Sequence, residues 1–356
     1  MKSVFLKHIH YMRAISILCV VAGHMFLPTV YYTHFQSFFS AIPFLFFSNC
    51  TIWFVFISGF IYCHTKMRSS RPYHQLIKHK IINLYFPMLF MSIPAIFLFV
   101  IPCLNLLIKP SSLEYIFVVF LVYILGLSNG SYWYILYILS VFFISPLLLY
   151  IAQKKYIFFF TFSIMTLCFF FFPRSLTIFP ENLLYFTPVF LLGIISRLNF
   201  IMVQVFLLHN KQWLSVLAIL LYFISHLIFL HFIGSLDRQW LFNRNIPWLM
   251  RLGIMMFSWF KVVLFFLIWT FFISHPNLES KLLNLIANHS FGIYFIHAYF
   301  LSYIFLHYQS IWPRHQIYGS ILSWILALIV PVVSLIVSLI LHKIFGRYSK
   351  YLIGVK

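Results

Sequence analysis

The stretch HIHYMRAISILCVVAGHMF, residues 8–26, places an arginine and a histidine eleven residues apart in the first strongly apolar segment. Eleven residues make about three turns of an α-helix, so Arg13 and His24 lie on nearly one face, roughly 16 Å apart along the axis. If this helix crosses a bilayer, Arg13 lies at one membrane surface and His24 lies well inside. Polar groups at membrane depth are costly and usually functional, so the stretch predicts a catalytic site.

Each of these two residues also has a simpler interpretation. Arg13 alone would be read as a cytoplasmic anchor, and His24 alone as a hydrogen-bonding contact between helices. Together on one face they favour function over structure. A neutral imidazole can take a proton from a sugar hydroxyl, and a guanidinium can hold a phosphate with two parallel hydrogen bonds.

The composition indicates an integral membrane protein. Of 356 residues, 63% are hydrophobic and 8% are charged, against about 25% charged in soluble domains, and the mean hydropathy is +1.00. We expect an all-α polytopic protein with one transmembrane domain over residues 1–356 and no appended soluble domain. The net charge of +20 resides between the apolar stretches, as in loops that face anionic lipid, so membrane lipid is the expected partner and nucleic acid is excluded.

Cysteines and acidic residues exclude several kinds of site. The five cysteines have neither metal-ligand spacing nor the pattern of a disulfide framework. The only acidic residues are Glu114, Glu181, Asp237 and Glu279. Four carboxylates near predicted loops are too few for a carboxylate dyad, a calcium cage or an acid-rich proton relay. We therefore expect no metal.

Ten membrane spans are predicted, with both termini in the cytoplasm. The spans are 11–30, 41–63, 81–102, 132–152, 156–173, 183–196, 212–233, 253–273, 290–308 and 318–341, of which 183–196 is short. In this orientation 17 lysines and arginines lie in cytoplasmic segments and 6 lie outside. Residues 113–128 are apolar but short, and counting them as a span would move the basic tail outside. We interpret them as re-entrant or interfacial.

Three further sets of residues are candidates for binding. The basic loop 66–87 contains Lys78 and Lys80, and it is interpreted either as a solvated cytoplasmic face or as a docking site for donor phosphates. Ser290, Tyr294 and His297 share one helical face that either joins helices or lines a substrate path. Lys261, inside a predicted span, could snorkel, pair with Glu114 or meet an anionic substrate.

Four segments resemble the bacterial acyltransferase-3 membrane proteins, which O-acylate sugars of envelope polymers. RAISILCVVAGH resembles the first-helix signature, with its arginine at Arg13 and its histidine at His24. FVFISGFIYC resembles the second-helix Ser-Gly pattern, at Ser58 and Gly59. SYWYILYILSVFFISPLLL resembles the Trp-led helix with a later proline, at Trp133 and Pro146. SFGIYFIHAYFL resembles the late Ser-x-x-x-Tyr-x-x-His segment, at Ser290, Tyr294 and His297.

Two positions depart from the family pattern. His10 stands where the family often has aspartate, three residues before the arginine. Lys80 and Asn83 precede Pro87 where the family often has two arginines, so one cation is kept and one is absent.

The resemblance implies an acyl-CoA donor, commonly acetyl-CoA, that approaches from the cytoplasm of a bacterium with this chain in its inner membrane. The acyl group would pass to a hydroxyl of an envelope polysaccharide or lipid-linked sugar. His24 would be catalytic, as base or as transient acyl carrier. Arg13, Lys78 and Lys80 would contact the donor, while Ser58, Trp133, Lys261, Ser290, Tyr294 and His297 would line the path. The alternatives are a transporter or flippase of lipid-linked sugar, and a structural subunit without activity.

Overall fold

A computed structural model describes residues 6–33, 38–69, 72–105, 112–172, 179–233, 247–307 and 316–355, and these ranges are helical with no β-strand. Helices α1 to α5 are Lys7–Thr33, Phe38–Phe47, Thr51–Arg68, Tyr73–Asn105 and Leu113–Ile124. Helices α6 to α10 are Trp133–Ala152, Ile157–Phe171, Phe179–Leu198, Phe200–His209 and Lys211–Ile233. Helices α11 to α15 are Trp248–Ser274, Lys281–Asn288, Ser290–Leu306, Gln316–Phe345 and Ser349–Leu352.

The all-α membrane class is confirmed, and each of the ten predicted spans contains a helix. Among the described residues, 7 helices are long and apolar enough to cross a bilayer, or 8 if α8 and α9 form one span bent by 96°. Helices α7 and α13, with 15 and 17 residues, are shorter than the roughly 20 residues that a crossing takes. The count of ten and the orientation of the termini stay predictions.

Two segments differ in extent from their predicted form. The weakest predicted span, 183–196, is the 20-residue helix α8, whose first turn includes Pro180 and Glu181. Proline and acidic residues are favoured in a first helical turn, because the N–H groups there have no helical partner. Residues 113–128 contain only the 12-residue helix α5, about 18 Å long, capped by Ser112 Oγ on the Tyr115 amide at 3.1 Å.

Helix α1 is the central helix of the bundle. It contacts α2, α3 and α11 to α14, and it is the most buried of the candidate spans. Its apolar side chains join the main core together with residues of the other central helices. The arginine-to-histidine stretch therefore lies inside the protein and not against lipid.

Helices α3 and α8 pack so closely that only glycine fits at the crossing. A Cβ atom on Gly59 would lie 2.1 Å from the carbonyl oxygen of Phe190, and one on Gly193 would lie 2.2 Å from that of Phe56. Small residues let helix backbones approach within a membrane, where no hydrophobic force drives them together. This contact fixes α3, which carries Ser58, against α8.

Prolines shape α4 and α6. Two π-helical turns, Ile81–Tyr85 and Ile96–Val100, adjoin Pro87 and Pro94 in α4, where the missing N–H groups interrupt the hydrogen-bond ladder. In α6, Pro146 removes the partner of the Phe142 carbonyl oxygen. The Ser145 hydroxyl donates to that oxygen at 2.7 Å. The Tyr73 hydroxyl lies 2.7 Å from the Phe143 carbonyl oxygen and 3.0 Å from that of Phe142, and so ties α4 to α6.

The start of α1 and the ends of α3, α8 and α11 meet at one end of the bundle. The His8 ring stacks on Phe200 just after α8, with centroids 5.5 Å apart. Lys7 Nζ lies 3.4 Å from the Glu279 carboxylate just after α11. Since α11 ends at this end of the bundle and α12 is short, α13 begins there as α1 does, and the two helices run in the same direction.

Candidate functional site

His24 and His297 meet where α13 packs on α1. Nδ1 of His24 lies 2.9 Å from Nε2 of His297, and the two rings are 5.1 Å apart with a 15° interplanar angle. His297 is fully buried, and its Nδ1 lies 3.1 Å from the carbonyl oxygen of Ile293, one turn earlier in its helix. A carbonyl oxygen only accepts, so Nδ1 of His297 carries a proton and Nε2 accepts the Nδ1–H of His24. Nε2 of His24 is therefore the basic nitrogen of the neutral pair.

Arg13 binds the first turn of the same helix. Its Nε donates to Ser290 Oγ at 2.6 Å, and its guanidinium carbon lies 5.2 Å from the centroid of the Phe291 ring. The Ser290 bond uses only Nε, so the two Nη groups remain as a planar pair of donors suited to an anionic group. Contacts of Arg13 with Ser290 and of His24 with His297 thus join two helices that run in parallel.

Side chains of α6 and α3 complete the site. The hydroxyl of Tyr294 donates to the backbone oxygen of Ser131 just before α6. The hydroxyls of Ser58 and Tyr134 lie 3.4 Å apart, and Tyr134 lies near Arg13. These contacts bring hydroxyl groups from three helices close to the arginine.

A small cavity lies among these residues. Its volume is about 20 Å³, room for about one water molecule. The lining residues are Val20, His24, Thr51, Phe54, Ser131, Trp133, Tyr134, Ser290, Phe291 and Tyr294. Among the described lining residues there is no carboxylate; the polar groups are the imidazole, the hydroxyls and the Trp133 indole, with the Arg13 guanidinium adjacent.

Most of the residues that the sequence singled out lie together. His24, Trp133, Ser290 and Tyr294 line the cavity. Arg13, Ser58 and His297 contact lining residues directly. The helical face shared by Ser290, Tyr294 and His297 points toward α1 and α6.

Lys78 and Lys80 lie outside the cavity lining. Lys78 is exposed, and the Nζ of half-buried Lys80 lies 4.3 Å from the centroid of the Phe142 ring of α6. Lys80 directly precedes the first π-helical turn of α4. In that turn the Asn83 amide donates to the His79 carbonyl oxygen of the same helix. Both lysines lie in the N-terminal part of α4. Their contact with a donor stays a prediction.

Lys261 has a structural environment that the sequence did not indicate. It is fully buried, and its Nζ donates to the carbonyl oxygen of Phe46 near the end of α2. The last carbonyl groups of a helix have no helical partner, so this ammonium satisfies one of them. Its neighbours are the rings of Phe257 and Phe260, at 5.0 and 5.2 Å, and not Glu114 or the cavity.

Two residues that line the cavity, Tyr134 and Thr51, were not indicated by the sequence, and the role predicted for His297 was incomplete. The Ser-x-x-x-Tyr-x-x-His pattern indicated that His297 faces the bundle. Its pairing with His24 joins positions 273 residues apart, which no local spacing indicates.

Comparison with known proteins identifies a family. The family model of the acyltransferase-3 group, described as an acyltransferase domain, matches residues 6–343. No curated protein and no solved structure matches the chain.

Proposed function

This chain belongs to the acyltransferase-3 family, and we propose that it transfers an acyl group, most commonly acetyl, from acyl-CoA to a hydroxyl of a cell-envelope glycan. The observation that carries the proposal is the bond from Nδ1–H of His24 to His297, which makes Nε2 the basic nitrogen of a histidine that lines the cavity. The acceptor would be a polysaccharide or a lipid-linked sugar. The location would be a bacterial inner membrane, with the donor on the cytoplasmic side.

In the mechanism that we favour, His24 is the general base. Its Nε2 takes the proton of the acceptor hydroxyl while the hydroxyl oxygen attacks the thioester carbonyl carbon. The tetrahedral intermediate collapses, the carbon–sulfur bond breaks, and the coenzyme A sulfur takes the proton back from the imidazolium. His297 accepts the Nδ1–H of His24 throughout, which holds the ring and stabilises its charged form.

The alternative mechanism makes His24 a transient acyl carrier. Nε2 then attacks the thioester itself, coenzyme A leaves, and the acceptor hydroxyl takes the acyl group from the imidazole in a second step. Both mechanisms use the same nitrogen and the same His297 contact. A burst of coenzyme A release without acceptor, equal to the enzyme present, distinguishes the carrier from the base.

Arg13 and the lysines are assigned to the donor. Ser290 holds the Nε side of the Arg13 guanidinium, and the Nη groups would bind a donor phosphate with two parallel hydrogen bonds. Lys78 and Lys80 would add charge at the entrance from the cytoplasm. Ser58, Trp133 and Tyr294 would line the path from there to His24.

Substrate entry requires the site to open. A cavity of about 20 Å³ is too small for a thioester and a sugar together. The bond from Tyr294 to the Ser131 backbone oxygen links α13 to the segment before α6, and it is one contact that opening would break.

Two measurements test the proposal. Mass spectrometry of envelope glycans should find an ester-linked acyl group in cells that carry the chain and none in cells without it. The purified protein should release coenzyme A from acyl-CoA slowly without acceptor and faster with it. A transporter would ignore the thioester, so an unchanged acyl-CoA pool together with unmodified glycans would refute acyl transfer.

A further inference from the structure

A basic cluster of Arg197, His64 and Arg68 lies where α3 and α8 end. Nε of Arg197 lies 2.9 Å from Nδ1 of His64. Arginine is always protonated in proteins and only donates, so Nδ1 of His64 accepts and its ring proton is on Nε2. The Nη groups of Arg197 and the Nε2–H of His64 are all donors. A pair that offers only donors and a positive charge is complementary to an anion.

Among the described residues, no carboxylate forms an ion pair with Arg197 or Arg68. The ion pair that the structure shows there is Lys7 with Glu279, which occupies that carboxylate. Glu181 lies at the opposite end of α8, 16 residues and therefore about 24 Å from Arg197. Arg68, one turn after His64 on α3, interacts electrostatically with His64 and adds to the positive charge.

Aromatic rings hold the guanidinium at this corner. Its carbon lies 6.0 Å from the centroid of the Phe60 ring and 5.7 Å from that of Phe200. Phe200 is in turn stacked on His8 of α1. Because Arg197 is enclosed by rings on two sides and is only half-buried, its position is fixed while it stays accessible.

An apolar helix adjoins the same corner. Helix α9 begins at Phe200 and makes an angle of 96° with α8, so if α8 crosses the membrane, α9 lies along the membrane surface. Its side chains Ile201, Met202, Val205 and Phe206 are exposed. Exposed apolar groups on a helix in the plane of the interface suit contact with lipid acyl chains.

We propose that Arg197, His64 and Arg68 bind the headgroup phosphate of one anionic phospholipid whose acyl chains pack along α9. Charge selects an anionic lipid over a zwitterionic one, because the ammonium group of a zwitterionic headgroup would meet the same cations. None of these residues lines the His24 cavity. The site is thus distinct from the His24 cavity and does not depend on acyl transfer, and of its residues only Arg68 belongs to the basic loop 66–87.

The test uses full-length protein in nanodiscs of phosphatidylcholine, with or without about one-fifth phosphatidylglycerol. Native mass spectrometry counts the phosphatidylglycerol retained after delipidation, and thermal unfolding gives the shift that phosphatidylglycerol produces. The wild type should retain one molecule and unfold at a higher temperature with it. Arg197→Gln should weaken retention of phosphatidylglycerol roughly tenfold or more, which corresponds to the loss of one charge-assisted hydrogen bond. Phosphatidylglycerol should no longer raise the unfolding temperature of this variant.

Arg347→Gln is the matched control, because it removes the same charge from an exposed arginine whose neighbour in contact is Tyr348. It should retain phosphatidylglycerol like the wild type. The unfolding temperature of each variant is compared between the two lipid mixtures, so that any effect of the substitution on intrinsic stability cancels. If Arg197→Gln does not fold, Arg197→Lys takes its place, since it keeps the charge but loses the planar fork, and retention should still fall.

Three outcomes would overturn the proposal. The first is equal retention by Arg197→Gln and the wild type. The second is equal loss in the Arg347→Gln control, which would indicate general attraction to a basic surface. The third is that coenzyme A raises the unfolding temperature of the wild type, whereas 3′-dephospho-coenzyme A and phosphatidylglycerol do not. If Arg197→Gln abolished that increase, the site would bind a nucleotide phosphate and not a lipid.

Discussion

His297 holds Nδ1 of His24 at 2.9 Å, in the place where a carboxylate commonly orients a catalytic histidine. A carboxylate at this depth would be costly in a membrane, and the chain has only four acidic residues. A second imidazole, itself fixed by the Ile293 carbonyl oxygen, orients the ring without adding a negative charge. The pair therefore allows base chemistry inside an apolar bundle.

Replacing His24 should nearly abolish acyl transfer. We expect His24→Ala and His24→Gln each to lower kcat by about 10²- to 10⁴-fold, because neither side chain can take a proton, while expression and donor binding persist. His209→Gln, at an exposed position on α9, is the control and should keep wild-type activity. Coenzyme A release by purified protein measures the effect. Substantial activity in His24→Gln would show that the histidine is only a structural contact.

His297 is expected to act as a positioning residue. His297→Ala should lower kcat about tenfold to a hundredfold, less than the His24 variants, and leave the KM for acyl-CoA nearly unchanged. His297→Gln should recover part of the loss, because its amide oxygen can accept the Nδ1–H of His24. A structural histidine would instead change thermal stability without this difference between kcat and KM. Steady-state kinetics and thermal unfolding of the three proteins separate the two roles.

The basic end of α4 should contribute to donor affinity. Neutralising Lys78 and Lys80 should raise the KM for acyl-CoA, most strongly at low salt, where charge is least screened. The same substitutions at Lys154 and Lys155, a second basic pair, form the control and should have little effect. If the salt dependence of kcat/KM were the same in all three proteins, these lysines would determine topology and not binding.

Membrane topology is testable by reporter fusions. The excess of cations predicts cytoplasmic signals at both termini, within residues 64–80 and after Lys155. A cytoplasmic signal after residue 155 requires that residues 113–128 do not cross. Helix α5 has only 12 residues, which is short for crossing. A periplasmic signal after residue 155 would contradict this orientation.

Lys261 is expected to stabilise the fold and not to carry substrate. Lys261→Met should lower the unfolding temperature, because the Phe46 carbonyl oxygen loses its donor inside the bundle. Enzyme that remains folded should keep most of its activity below that temperature. Ser258→Ala, in the same helix α11, removes a hydroxyl bonded to Tyr185 at 2.6 Å and gives a comparison for loss of one buried contact. A large fall in activity without loss of stability would return Lys261 to the substrate path.

The sequence alone determined the membrane class, the helices and most of the candidate site. Apolar segments of about 20 residues have one stable backbone conformation in lipid, so hydropathy suffices to place helices such as α1 and α6. The 3.6-residue period likewise placed Arg13 with His24, and Ser290 with Tyr294 and His297, on single faces. These conclusions depend only on residues within one helix, so the spacing of residues along the sequence is sufficient to reach them.

Only the tertiary structure decided which faces meet. Helix packing in the membrane depends on close-fitting small residues such as Gly59 and Gly193 and on polar contacts between distant segments, which periodicity does not encode. For this reason the pairing of His24 with His297 and the enclosure of Lys261 by α2 and α11 came from the structure. The tertiary structure also gave His297 its role, since a histidine orients another ring only where two helices hold them together.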